Sequence, residues 1–170
     1  MDHFPIFLAT SEQKILLSGG GEAALAKLRL LMKTKAALHI FAPAPAPELV
    51  EWQAAGKLTL HRRALTATDL PGALLFYAAD EDDALDAENA ALARAAGVLM
   101  NIVDNLHDSQ FITPAIVDRD PIVVAIGSEG TAPVLTREIK TKIERFLPQN
   151  IGGLAAFAGR LRPSVAGNIP

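Results

Sequence analysis

Three consecutive glycines, Gly19-Gly20-Gly21, followed by Glu22, Ala23 and Ala24, give the spacing G-x-G-x-x-A. In such a spacing the first glycine permits a tight turn and the second lets backbone approach a pyrophosphate. The small third residue lets a helix pack closely on a sheet. The N-terminus of that helix adds N–H groups and partial positive charge for an anion. A purely structural strand-to-helix turn uses the same spacing. The acid expected about 20 residues further on, as a ribose 2′-hydroxyl partner, is replaced by Phe41-Ala42-Pro43-Ala44. No arginine stands there for a 2′-phosphate either, which favours NAD over NADP.

A second candidate is Asp104, which closes the apolar run Leu99–Val103. Ligands settle at the carboxyl ends of parallel strands, and a carboxylate there suits a general base. A turn or capping aspartate is the competing reading. His107 and Asp108 share its loop. The four histidines, His3, His39, His61 and His107, show no ligand spacing, so no permanent metal site is expected. His39 and His61 fall within strands as structural residues. Glu81-Asp82-Asp83 reads as the acidic first turn of a helix. Gly127-Ser128-Glu129-Gly130-Thr131 precedes another helix, with hydroxyls suited to capping or to an anion. Arg137, Lys140, Lys142 and Arg145 recur along that helix, facing solvent or an acidic ligand. Short-chain dehydrogenase chemistry is excluded, because the single tyrosine, Tyr77, is followed at the Tyr-x-x-x-Lys spacing by Glu81.

The elements that must hold these residues follow from periodicity. Lys14–Leu17, Ala37–Phe41, Leu58–His61, Leu74–Ala78 and Leu99–Val103 are short apolar runs, read as strands. Helical segments around Ala23–Lys33, Glu48–Ala55 and Asp82–Ala96 fall between them. Strands so uniformly apolar need cover on both faces, which predicts a Rossmann-type parallel sheet in an α/β fold. After Asn105 the pattern changes. Phe111–Val117 and Ile122–Ile126 flank Asp118-Arg119-Asp120-Pro121, a link too short for a crossover helix, so an antiparallel hairpin is expected. A helix over Pro133–Phe146 and a helical segment over Gly152–Leu161 complete the reading.

The bulk composition narrows the function classes. With 170 residues, one main domain and a small appendage are expected. The absence of cysteine excludes disulfides and thiolate chemistry and fits a reducing cytoplasm. The net charge of −3 argues against nonspecific nucleic-acid binding. No apolar stretch approaches the roughly 20 residues that span a bilayer, and the first residues carry no secretion signal.

Several blocks together resemble the precorrin-2 dehydrogenase/sirohydrochlorin ferrochelatase module of siroheme synthase. They are Phe4-Pro5-Ile6-Phe7, Gly19-Gly20-Gly21-Glu22, Lys27-Leu28-Arg29-Leu30-Leu31, Asn101-Ile102-Val103-Asp104, Phe111–Arg119 and Gly130-Thr131-Ala132-Pro133-Val134-Leu135. The resemblance implies NAD⁺-dependent oxidation of precorrin-2 to sirohydrochlorin, then insertion of Fe²⁺, with iron as a substrate, in one site of a homodimer. It also implies a catalytic role for Asp104 and cofactor contacts at Glu22, Ala23, Pro43 and Ala44. The substrate's carboxylates make Arg119, Arg137 and Lys140 candidate clamps. Ser128 is a candidate for substrate contact and for phosphorylation, which would repel that substrate. Two departures stand out: Gly127-Ser128-Glu129-Gly130 where the family has Ser-Ser-Gly-Gly, and Ala26-Lys27 where it has Arg-Lys.

The expected organisation is therefore an NAD-binding Rossmann-like domain over 1–112, a dimerisation element of hairpin and helix over 113–148, and the start of a helical connector over 149–170. In larger members the connector leads to a uroporphyrinogen methyltransferase domain, so an excised domain and a stand-alone module both remain open. The rival to an enzyme is a dimeric NAD(H)-sensing module with the same fold.

Overall fold

In the computed structural model, which describes residues 1–166, the first five apolar runs form one sheet. Its strands are β1 (Lys14–Ser18), β2 (Ala37–Phe41), β3 (Thr59–His61), β4 (Ala73–Ala78) and β5 (Leu99–Ile102), ordered β3-β2-β1-β4-β5. All four pairings are parallel. Helices α1 (Glu22–Leu31), α2 (Pro47–Ala54) and α3 (Asp83–Ala95) make the crossovers. A 3₁₀ turn at Ala67–Asp69, absent from the periodicity, is closed by a reciprocal cap between Thr66 and Asp69. The expected Rossmann-type α/β fold is borne out.

Strand alternation builds the two layers. Ile15, Leu17, Ile40 and Tyr77 pack against Ala24, Leu25 and Leu28 of α1 and Leu49 of α2. Leu16, Phe76, Met100 and Ile102 pack against Ala90 and Ala93 of α3. Burying side chains on both faces is why the strands read as continuous apolar runs. The sheet order reverses between β1 and β4, so the crevice for a ligand lies over the carboxyl ends of those two strands.

The chain forms two compact units, His3–Ile112 and the described residues from Thr113 on together with Met1–Asp2. In the second, β6 (Ala115–Arg119) and β7 (Ile122–Ile126) form an antiparallel hairpin. This corrects the expected first strand, Phe111–Val117. Pairing of Arg119 with Ile122 leaves only Asp120-Pro121 for the turn, while Phe111 stays with the sheet, edge-on to Tyr77 at 5.2 Å. Helix α4 (Pro133–Phe146) packs on the hairpin. Helix α5 (Ile151–Ala166) is longer than the expected Gly152–Leu161. It runs so close to the carbonyls of Arg119 and Asp120 that any side chain at Gly152 would collide with them.

Candidate dinucleotide and catalytic site

The glycine loop turns directly out of β1 into α1. Gly19 has φ +119°, and a side chain there would strike the Ala79 carbonyl just past β4. A Cβ on Gly20 would lie 2.7 Å from the Ala44 carbonyl oxygen. Both glycines are therefore required by close backbone approach. The loop is tied down by Gly19 N–H donating to Phe41 O at 3.0 Å and Ala46 N–H donating to Gly20 O at 2.9 Å. These contacts bring Ala44 against Gly20, and Pro43 and Ala44 are both exposed. Gly21 caps α1 without a side chain. In place of one, the Glu81 carboxylate accepts from the Ala23 N–H at 3.0 Å.

Asp104 lies two residues beyond β5. Its φ is +61°, a left-handed conformation that costs a non-glycine residue on the order of 1–2 kcal/mol. The turn is held by Val103 N–H on Ala78 O at 2.9 Å and Asn105 N–H on Ile102 O at 3.1 Å. Behind it, Ser109 and Asn101 link the loop to β5: Ile102 N–H donates to Ser109 Oγ, and Asn101 Nδ2 donates to Phe111 O. The carboxylate is exposed. It borders a cavity of about 260 Å³ whose other walls are Ala23, Ala26, Lys27, Leu30 and Val103. One wall is therefore the helix that opens from the glycine loop.

Lys27, which the sequence marks as the retained half of the family's Arg-Lys pair, lines this cavity with Asp104. Burial pulls its ammonium below the usual lysine range, and the nearby Asp104 charge partly offsets the shift. Its Nζ also sits 5.2 Å from the centroid of the Tyr77 ring, within cation–π range. A lysine one position before the buried Leu28, on a helix otherwise packed by Ala and Leu, is the signal that marks it.

The other candidates belong to the C-terminal unit. Arg119 turns its guanidinium to backbone, donating to Leu147 O, Glu144 O and Asp118 O, and so holds the end of α4. Lys140 pairs with Glu144 at 3.1 Å, and Lys142 with Glu138 at 2.8 Å. Arg137 is exposed. The Ser128 carbonyl accepts from both the N–H and the hydroxyl of Thr131, which closes the loop, and Glu129 takes φ +48°. The strand histidines pair with each other, His39 Nδ1 to His61 Nε2 at 3.2 Å, and His61 stacks on Phe41. Among the described residues no group of three or more His, Asp or Glu is arranged to hold a metal ion.

A parallel sheet in this order, with a glycine loop under a helix N-terminus at its switch point, defines a Rossmann-type dinucleotide-binding protein. A family model described as "Putative NAD(P)-binding" matches residues 6–115, and the chain belongs to that NAD(P)-binding family. The siroheme synthase of Chromobacterium violaceum is 41% identical over 170 residues, covering all of this chain and 36% of that protein. Siroheme synthase 2 of Cronobacter sakazakii is 42% identical over 165 residues, covering 97% of this chain and 36% of its own length. The chain thus spans about a third of these curated relatives. Among solved structures, SirC, a precorrin-2 dehydrogenase, superposes with a TM-score of 0.79 at 24% identity, covering 99% of this chain and 83% of that one. That likeness carries the fold. The resemblance to siroheme synthases read from the sequence is borne out.

Proposed function

We propose that this chain catalyses NAD⁺-dependent dehydrogenation of precorrin-2 to sirohydrochlorin, and that the same cleft serves insertion of Fe²⁺ to give siroheme. The observation that carries this reading is Asp104: an exposed carboxylate held at φ +61° beyond β5, in a cavity walled by the helix of the dinucleotide loop. A strained carboxylate at a ligand crevice supports a functional reading of this position.

The residues divide the work as follows. The N–H groups at the start of α1, with Glu22 and Ala23, would hold the pyrophosphate, and Pro43 and Ala44 would border the adenosine half. Bound NAD⁺ would supply the hydride acceptor. Asp104 would take the proton released as the macrocycle loses two hydrogens, one as hydride and one as proton. In metal insertion, where Fe²⁺ enters as substrate and two pyrrole protons leave, the same carboxylate would take them one at a time and pass each to solvent. Lys27 sets a cation in that cavity, suited to orienting the Asp104 carboxylate. Ser128, Arg137 and Lys140 would meet the carboxylates of the substrate. Arg119 would join them only by releasing the α4 carbonyls it holds.

The assembly belongs to the same proposal. The hairpin and α4 would pair two copies into a homodimer, a uroporphyrinogen methyltransferase domain would follow in a longer chain, and the protein would work in the cytoplasm. Incubation with precorrin-2 and NAD⁺ is expected to give the sirohydrochlorin absorption. Asp104→Asn should lower kcat by roughly 10²- to 10⁴-fold, the usual worth of a general base, with NAD⁺ affinity retained. Full activity in that variant removes Asp104 from the reaction. Nucleotide binding with no turnover in the wild type supports the sensor instead.

A further inference from the structure

Glu81 is not where an acidic helix turn would put it. Asp82 alone caps α3, accepting from the N–H groups of Ala84 and Leu85. Glu81, one residue earlier, has φ +60° and turns away from α3 to the start of α1. There its Oε1 accepts from the Ala23 N–H at 3.0 Å, and its other oxygen lies against the bare Cα of Gly21. The nearest acid in sequence, Glu22, is engaged elsewhere, paired with Arg29 at 2.9 Å. A carboxylate from the far side of the switch point thus rests on an N–H of the helix start that a dinucleotide-binding loop offers to phosphate.

We propose that Glu81 is an internal stand-in for the dinucleotide pyrophosphate, occupying the α1 N-terminus until the cofactor displaces it and thereby setting dinucleotide affinity. Two anions cannot share one N–H, and like charges at such spacing repel. Binding therefore requires the Glu81 side chain to leave its cap. Its exposure gives it room to do so. The carboxylate offsets the dipole of α1 in the free protein, and the cofactor takes over that task when it arrives. The proposal rests on the dinucleotide site and not on the reaction, so its test needs no tetrapyrrole.

The test is calorimetric titration of NAD⁺, inorganic pyrophosphate and nicotinamide riboside into the wild type and the Glu81→Gln and Glu81→Ala variants. Removing the charge is expected to tighten NAD⁺ and pyrophosphate about three- to tenfold, given the modest worth of an exposed charge at a helix end. Nicotinamide riboside, which lacks phosphate, should bind equally to all three. Thermal unfolding adds a second readout: the free Glu81→Ala protein should melt lower than wild type, yet gain more from saturating NAD⁺. Unchanged or weaker NAD⁺ binding in both variants overturns the proposal, and weaker binding that extends to the riboside would make Glu81 a cofactor contact.

Discussion

Ser18 ends β1 with a buried hydroxyl that has no hydrogen-bond partner among the described residues. Leaving such a group unsatisfied costs on the order of 1–3 kcal/mol, and the loop pays it immediately before Gly19. Ser18→Ala is therefore expected to raise stability by about 1 kcal/mol, read as a higher urea midpoint at unchanged slope. At this scale the sequence pointed to the glycines and to Asp104 as candidates, because their types are tied to backbone freedom and to the end of an apolar run. It did not show that Glu81 reaches the start of α1 or that Lys27 is half-buried beside Asp104. Glu81 reads as part of an acidic helix start until its φ sends it to another helix, and Lys27 reads as half of a family pair with nothing in the sequence to show its burial.

Among the elements, α3 carries a cost that pH exposes. Asp86, buried near its N-terminus, accepts from the Asp80 N–H at 2.9 Å, while Asn89 holds the Asp80 carboxylate at 3.0 Å. Burial, with the nearby Asp80 and Asp83 charges adding to it, pushes the Asp86 carboxyl up from 3.8 to about 6. Between those values the folded chain binds more protons than the unfolded one, so this group's contribution to stability falls as pH rises, and above 6 the full penalty is present. Asp86→Asn keeps an acceptor for Asp80 and removes the charge. It is expected to be more stable at pH 7 by on the order of 1–2 kcal/mol, with the advantage vanishing near pH 4 in denaturation curves taken across that range. None of this shows in periodicity, which marked α3 well but cannot report which polar residue a loop folds inward. The strands were legible for the opposite reason: burial on both faces leaves a signal in every residue. The hairpin was displaced because its register is set by a two-residue turn and by Phe111 packing on Tyr77, a contact distant in sequence.

At the scale of the whole molecule, the C-terminal unit has too little core to account for its surface. Val117 is its one fully buried hydrophobic residue among those described, and α4 has none. Val134 and Phe146 are 75% and 81% exposed, with Leu135, Ile139, Leu154 and Phe157 also open to solvent. So many exposed large apolar side chains in one small unit point to an interface. The charged residues of α4 meanwhile pair along its length, Glu138 with Lys142 and Lys140 with Glu144, as a solvated stripe does. The proposed homodimer follows from this division of α4 into a polar and an apolar side, and a twofold axis would let the same patch cover itself. Sedimentation velocity at micromolar concentration is expected to show about twice the monomer mass, and Leu135→Glu combined with Phe146→Glu should return a monomer. NAD⁺ affinity should survive that change, because the glycine loop and its partners lie wholly within His3–Ile112. A wild type that sediments as a monomer at all concentrations would remove the dimer and leave the apolar side of α4 to some other segment or partner.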